Sequence, residues 1–472
     1  MTRFRTALAA LGLAAAMQAA PAAAENLVIE HVTVVDGTGR PAQSDMSVVV
    51  EGDRFTRIVP SSALGNVSGR RIDGRGKFLM PGLIDVHIHL RGARGEGARM
   101  VGIAKPGAAA PTAPIVKAGP AAINREGALG ALAGFIYSGV TSVYDAGNDP
   151  KLILPLRAEE RAGKIASPRI FATGNLITTP GGHGGEMAIT VESWPQAKAA
   201  LDRHIAEQQP DMVKLTYDEH GWGSRPQIPL LPPELMQEIV KYYNQHGIRS
   251  TVHTSNENRS IEAIYAGVDT LAHPVIQGPV SDEFVRLMGA KKTPFASTLT
   301  IGEGYSRLVE HPEFLDQPLY QAALTPAEIA DLRAKTLPQW RERPWTWWMK
   351  LMTPIAQENI RKIDAAGGVV AVGSDQSLGP ATHREMELLQ AAGIAPLEVI
   401  RAATLNGARF LGKEDQLGSI EPGKLADAVL LNADPGRDVN NAKQIALVIK
   451  GGRIVREAEL PLPGGPRANR LP

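Results

Sequence analysis

The sequence predicts an α/β fold, a (β/α)8 TIM barrel with a small β-sandwich domain formed by both termini. Three observations lead there. Short segments of strand-like period-two alternation crowd both ends of the 472-residue chain. A repeated helix–glycine–strand unit fills the middle. The strands of that unit are almost continuously apolar and close on polar residues, as buried parallel strands feeding one mouth do.

Composition narrows the function classes first. Apolar residues make up 43% and charged residues 21% of the chain, enough for a packed core and too apolar for wholesale disorder. Fifty Lys and Arg balance 49 Asp and Glu, leaving no basic surplus to neutralise phosphates. Nucleic acid is therefore excluded as the main partner. With no cysteine there are no disulfides, thiol nucleophiles or cysteine-based zinc sites, so a metal site must use His, Asp, Glu or a modified Lys.

Residues 1–24 read as a signal peptide. Arg3 and Arg5 precede the apolar run Ala7 to Met17, and Ala22-Ala23-Ala24 offers a small-residue cleavage site. The run is too short to span a bilayer comfortably, and no other stretch reaches 18 apolar residues, so no stable membrane insertion is expected after cleavage; an N-terminal anchor left uncut is the alternative. Removing the two arginines takes the formal charge from +1 to −1. The mature chain is expected to be exported, and periplasmic if the source is a Gram-negative bacterium.

Next come the strand-rich ends. Leu27-Val28-Ile29, Val32 to Val35, Ser47 to Val50 and Phe55 to Ile58 are punctuated by Asp36-Gly37 and Gly52-Asp53. The far end repeats the style in Ala428 to Leu431 and Ala446 to Ile449, with a Gly451-Gly452 turn before Arg453-Ile454-Val455. Residues 25–80 and 416–472 are thus assigned to one discontinuous β-sandwich domain, and 81–415 to the barrel.

Within the barrel segment, Gly139 leads to Asp145, Gly247 to His253, Gly267 to His273 and Gly368 to Asp375. Each glycine suits the C′ position of a helix, and the β-branched residues after it suit a buried strand. Strands are expected near 83–90, 141–145, 169–173, 212–216, 249–253, 270–273, 295–299 and 369–375. An open doubly wound sheet is the fallback, but no G-x-G-x-x-G follows the first strand.

The strand ends carry ligand-type residues: His87-Ile88-His89 on the first, Lys214 on the fourth, His253 on the fifth, His273 on the sixth and Asp375 on the eighth. Residues i and i+2 of a strand share a face, so His87 and His89 project together. Alone, an H-x-H is a weak sign of metal. His253, His273 and Asp375, three further residues of metal-ligand type in barrel order, make it a strong one.

Pro81-Gly82-Leu83-Ile84-Asp85-Val86-His87-Ile88-His89-Leu90 resembles the first-strand signature of the amidohydrolase superfamily. Ala402 to Ala408 and Gly418 to Asp427 resemble that superfamily's return from barrel to β-sandwich. The likeness spans nearly the whole mature chain and leans toward the binuclear Xaa-Pro dipeptidase and imidazolonepropionase-related branch. It implies two divalent metal ions, with zinc expected. His87, His89 and Asp375 would hold the more buried ion, and His253 and His273 the other. Lys214 matches the position of a carboxylated lysine that bridges both. Burial near positive charge lowers a lysine's pKa, and the neutral amine captures CO2 to give a carbamate with two anionic oxygens. An ion-paired barrel lysine or a binder of substrate carboxylate is the alternative for Lys214. A metal-bridging hydroxide would attack the scissile carbonyl, with Asp375 accepting its proton and passing it to the leaving group.

Specificity is left to loops. Thr179-Pro180-Gly181-Gly182-His183-Gly184-Gly185 is similar to a Gly-Gly-His-Gly segment of the dipeptidase-like branch, which makes His183 a candidate catalytic donor to the carbonyl or oxyanion. A flexible glycine turn is the alternative. Tyr217, three residues past Lys214, is a candidate for the same oxygen, and His383 or Arg384 for a substrate carboxylate. Asp145 has no ligand role in the family pattern and reads as structural. Pro274 stands where the family has a small residue after the sixth-strand His, which puts that loop's shape in question. Residues 91–125 and the tryptophan-rich 300–355 read as insertions: a lid in the first case, a pocket lining, subunit contact or packed helices in the second.

The function expected is exported, metal-dependent hydrolysis of an amide-type bond in a small molecule: a dipeptide, N-acyl amino acid or cyclic amide. A mononuclear deaminase of the same superfamily is the runner-up, disfavoured by Lys214, since such members characteristically lack the bridging lysine. A barrel that binds ligands without catalysis is the alternative from another class. Oligomeric state stays open, a homo-oligomer included.

Overall fold

A computed structural model describes residues 26–90, 124–185, 188–219 and 227–465. Residues 1–24, expected to be a signal peptide, and nearly all of residues 91–125, expected to be a lid, lie outside the described residues.

The two ends of the chain build one eight-stranded sheet. Leu27–Val34 pairs with Gln43–Glu51 on one side and with Arg70–Asp73 and Phe78–Pro81 on the other. Phe78–Pro81 then pairs with Ala428–Leu431, which continues through Ile445–Lys450 to Arg453–Ile454. The period-two pattern explains both faces of this sheet. Ile29, Val48, Val50 and Leu430 fill one apolar cluster, while Val28 and Val49 turn to the opposite face against Leu64.

The middle of the chain is an α/β fold of TIM-barrel type. All eight expected strands are present: β1 Leu83–Ile88, β2 Val140–Asp145, β3 Arg169–Ala172, β4 Met212–Thr216, β5 Arg249–His253, β6 Thr270–Leu271, β7 Phe295–Ala296 and β8 Val370–Ala371. The last three are shorter than the sequence suggests. Parallel pairing runs β1-β2-β3 in one sheet and β4 through β8 in another, the latter flanked by two unforeseen short strands, Leu176–Thr178 and Ala188–Thr190. Hydrogen bonds tie the sheets at both margins. Asp211 N donates to Ala172 O at 3.0 Å between β3 and β4. Val86 N donates to Val372 O at 3.0 Å between β1 and β8.

Ile84, Val86, Tyr144, Met212, Ala296 and Ala371 pack together with Ala408, Phe410 and Leu411 of the helix Leu405–Leu411. Burial of an aromatic side chain such as Phe410 contributes about 1.5–3 kcal/mol. On β1 the register against β2 slips between Asp85 and Ile88. Ile84 and Val86 face this apolar cluster, and the slip inserts one residue before Ile88. His87 therefore comes to the same side as Val86 instead of the opposite one, as a β-bulge allows.

The helix-ending glycines appear as expected at Gly139, Gly247 and Gly267, all with positive φ. In the fourth unit the left-handed residue is Gly367 (φ 80°), one position before the glycine expected. The helix Pro344–Ala365 ends with Ala366 as its cap, which puts Gly367 at C′. In the 300–355 insertion, Trp340 packs on Tyr305 with ring centroids 4.4 Å apart, and Trp345 on Trp348 at 5.0 Å. These three tryptophans serve helix packing, whereas Trp347 is 65% exposed.

Candidate metal centre

The polar strand ends converge. His87 and His89, at and just past the end of β1, hold their rings 5.3 Å apart. Asp375, after β8, sets Oδ1 at 3.8 Å from His87 Nε2 and 3.6 Å from His89 Nε2. Ligand atoms of these three residues all lie within 4.8 Å of one another, a spacing that can hold a metal ion. Across the mouth, the His273 ring lies 4.6 Å from that of His87 and 4.5 Å from that of His253. Lys214 Nζ, buried at the middle of β4, reaches to 3.4 Å from His87 Nε2.

Outer contacts decide which nitrogen each imidazole presents. His89 donates through Nδ1 to Gly147 O at 2.8 Å, and His273 Nδ1 meets Thr298 Oγ1 at 2.9 Å. Both leave Nε2 for the cluster. His253 is held the other way round, its Nε2 lying 3.1 Å from Asp218 Oδ2. The carboxylate of Asp85 fixes the approach of β1 by accepting from the amides of His87 and Ser374 and from the Thr382 hydroxyl.

Burial sets the charge states. It pushes His87 and His273 well below the ordinary imidazole value, with the Lys214 ammonium adding to the fall for His87 and the His253 ring for His273. His253 is lowered by burial too, and Asp218 opposes this. Burial brings Lys214 down to about 7, with Asp375 pulling the other way. Neutral imidazoles, a carboxylate and an amine that readily loses its proton form the donor set that divalent ions such as zinc need. The residues fit the metals expected of them.

His183 joins this group. Its ring stacks on that of His253 at 4.3 Å and 17° between planes, and its carbonyl accepts from Thr216 Oγ1 at 2.9 Å. Burial, then the neighbouring His253, lower its pKa to about 3. The turn carrying it needs glycine at Gly182, where a Cβ would come within 2.5 Å of Thr178 Oγ1 and 2.9 Å of Thr179 O.

Two expected substrate contacts lie elsewhere. Tyr217 is fully buried and donates to Glu262 Oε2 at 2.6 Å. An odd offset of three from Lys214 puts it on the opposite face of the strand, among the helices, so it is corrected to a packing residue. His383 is also corrected. It lies within the helix Gly379–Ala391, buried, with Nε2 at 2.7 Å from Ser138 O between two helices. Arg384 pairs with Glu303 and Glu387. Asp145 accepts from the amides of Leu90 and Gly147 and from the Asn148 side chain, which steadies the segment holding His89. After His273, Pro274 leads into Val275 and Ile276, both buried, and the Ile276 and Gln277 amides donate to Ser255 O.

Asp218 escaped the sequence reading. The signal was available, because Lys214, Thr216 and Asp218 alternate onto one face of β4 and its extension.

The model described as "Amidohydrolase family" matches residues 78–455. Imidazolonepropionase of Porphyromonas gingivalis is 38% identical over 103 residues, covering 20% of this chain and only 24% of that protein. The 5-methylthioadenosine/S-adenosylhomocysteine deaminase of Symbiobacterium thermophilum is 24% identical over 465 residues, covering 92% of this chain and 94% of that one. A solved Xaa-Pro dipeptidase with bound methionine in its active site shares the fold, with TM-score 0.69 and 24% identity over 91% of this chain and 100% of that chain.

Proposed function

The chain belongs to the amidohydrolase family, and from that premise we propose that it is an exported, binuclear metal-dependent hydrolase of an amide-type bond. The substrate is a dipeptide, an N-acyl amino acid or a cyclic amide. One observation carries the reading: Lys214 Nζ comes to 3.4 Å from His87 Nε2, buried among residues suited to ligate two ions. A permanently charged ammonium there would be opposed by burial, whereas a carbamate would tie two cations together.

In this reading the eight strands close into a (β/α)8 barrel over 81–415, and residues 25–80 with 416–472 form the β-sandwich. Residues 1–24 direct export and are removed. Among the described residues no helix is long and apolar enough to cross a membrane. His87, His89 and Asp375 would hold one ion, His253 and His273 the second, and carboxylated Lys214 both. Ions held there, zinc foremost, supply Lewis acidity and lower the pKa of a shared water.

The chain does the rest. Asp375 takes the proton of the attacking water at Oδ1 and returns it to the leaving nitrogen. His183, neutral and stacked on His253, offers an N–H to the oxygen on which negative charge develops. The buried histidines and lysine keep bulk water from the reacting centre, which strengthens each of these polar contacts.

The test is a zinc-loaded preparation screened against dipeptide and N-acyl amino acid libraries, with amine release followed by mass spectrometry. Hydrolysis that a chelator abolishes and zinc restores is expected. Absence of chelator-sensitive hydrolysis across both libraries and a parallel panel of cyclic amides would overturn the proposal. The full-length likeness to a deaminase favours one second reading: ammonia release from an aminated heterocycle with one ion per chain.

A further inference from the structure

Asp218 is a buried carboxylate beside His253 at the candidate metal centre. It follows β4, its side chain is fully buried, and it lies 3.1 Å from Nε2 of the equally buried His253. An ionised carboxylate only accepts hydrogen bonds, so the proton between them sits on His253 Nε2. A neutral imidazole has one other nitrogen, and its lone pair is then at Nδ1. His253 thus differs from His89 and His273, which are held through Nδ1 and offer Nε2. Stacking on His183 fixes the plane of the ring, and the His273 ring meets it at 76° in an edge contact. The bond to Asp218 fixes the rotation within that plane. Neither the stack nor the edge contact chooses between the two nitrogens.

We propose that Asp218 is a positioning residue that selects the Nε2–H tautomer of His253 and thereby presents Nδ1 to the second metal. This rests on the two-metal reading given above and adds to it an asymmetry between the halves of the centre. Removing Asp218 disables the ion held by His253 and His273 while leaving the one held by His87, His89 and Asp375. An outer partner of this kind changes metal affinity by about 10–100-fold.

The experiment titrates zinc into metal-free full-length protein and counts bound ions by mass spectrometry under native conditions. Wild type, Asp218→Ala, His253→Ala and the double variant are compared. Wild type is expected to take two ions, and D218A to take the first with unchanged affinity and the second about 10-fold or more weakly. D218A should add no further loss in the H253A background, because its effect passes through that ring. A D218A chain that binds both ions as tightly as wild type overturns the inference and leaves the two-metal reading standing. A wild type that saturates at one ion overturns both. Should D218A not fold, the isosteric Asp218→Asn carries the test. Its second ion is expected to bind at least about threefold more weakly, since the imidazole loses the basicity an anionic partner confers. Wild-type affinity in D218N would overturn the inference.

Discussion

Asp375 meets His87 through both its backbone and its side chain. Its amide donates to the His87 carbonyl at 2.7 Å, and its Oδ1 lies 3.8 Å from His87 Nε2. The backbone bond locks the end of the eighth strand to the first. Asp375 accepts an uncommon left-handed conformation, φ 51°, in that arrangement. A strained non-glycine residue among candidate ligands costs of order 1 kcal/mol and persists because its surroundings over-determine it.

That relationship separates chemistry from folding at Asp375. Asparagine keeps the amide bond to His87 but cannot take a proton from water. Asp375→Asn is expected to melt within a few degrees of wild type and to lose more than about 10²-fold in kcat. Near-normal turnover in a metal-loaded D375N chain, measured with any substrate the wild type cleaves, would remove the proton-shuttle role.

Lys214 gives a pH prediction. The amine captures CO2 only when neutral, and burial brings its pKa down to about 7. The neutral fraction rises with pH up to that value and then levels off. At fixed dissolved CO2, activation of the metal-free enzyme by bicarbonate and zinc should quicken about tenfold per unit below pH 7 and flatten above it. An activation rate that is flat from acid to alkaline pH contradicts carboxylation of this residue, as does full activation of Lys214→Ala.

Tyr217 tests the placement of the strand faces. Its hydroxyl is bonded to Glu262 and the residue is fully buried. Tyr217→Phe should therefore leave kcat/KM within about twofold and cost about 1 kcal/mol of stability, the typical worth of one such hydrogen bond. A large fall in kcat with unchanged melting would return Tyr217 to the reacting oxygen.

Much of this centre is readable in the sequence, because a glycine-capped helix followed by an apolar strand reliably ends at the barrel mouth. His253, His273 and Asp375 stand at such ends, His87 and His89 close the first strand, and Lys214 lies at the middle of the fourth. What misleads is spacing judged without parity. Tyr217 is near Lys214 along the chain yet on the other face, while Asp218, one residue further, is on the same face and holds His253. His383 follows the eighth strand too late, by which point a helix has already turned it toward Ser138. The bulge at β1 has no local signature. Its register slip depends on pairing with β2, a partner more than fifty residues away in the chain. The two short strands around the glycine loop were too brief to show any period.

The centre as a whole is tested most directly by anomalous diffraction from crystals grown with zinc, read together with the density at Lys214. Two ions are expected, one against His87, His89 and Asp375 and one against His253 and His273, with carbamate density on Lys214 Nζ between them. A single ion, with Lys214 as an unmodified amine making no contact to it, would contradict the binuclear centre.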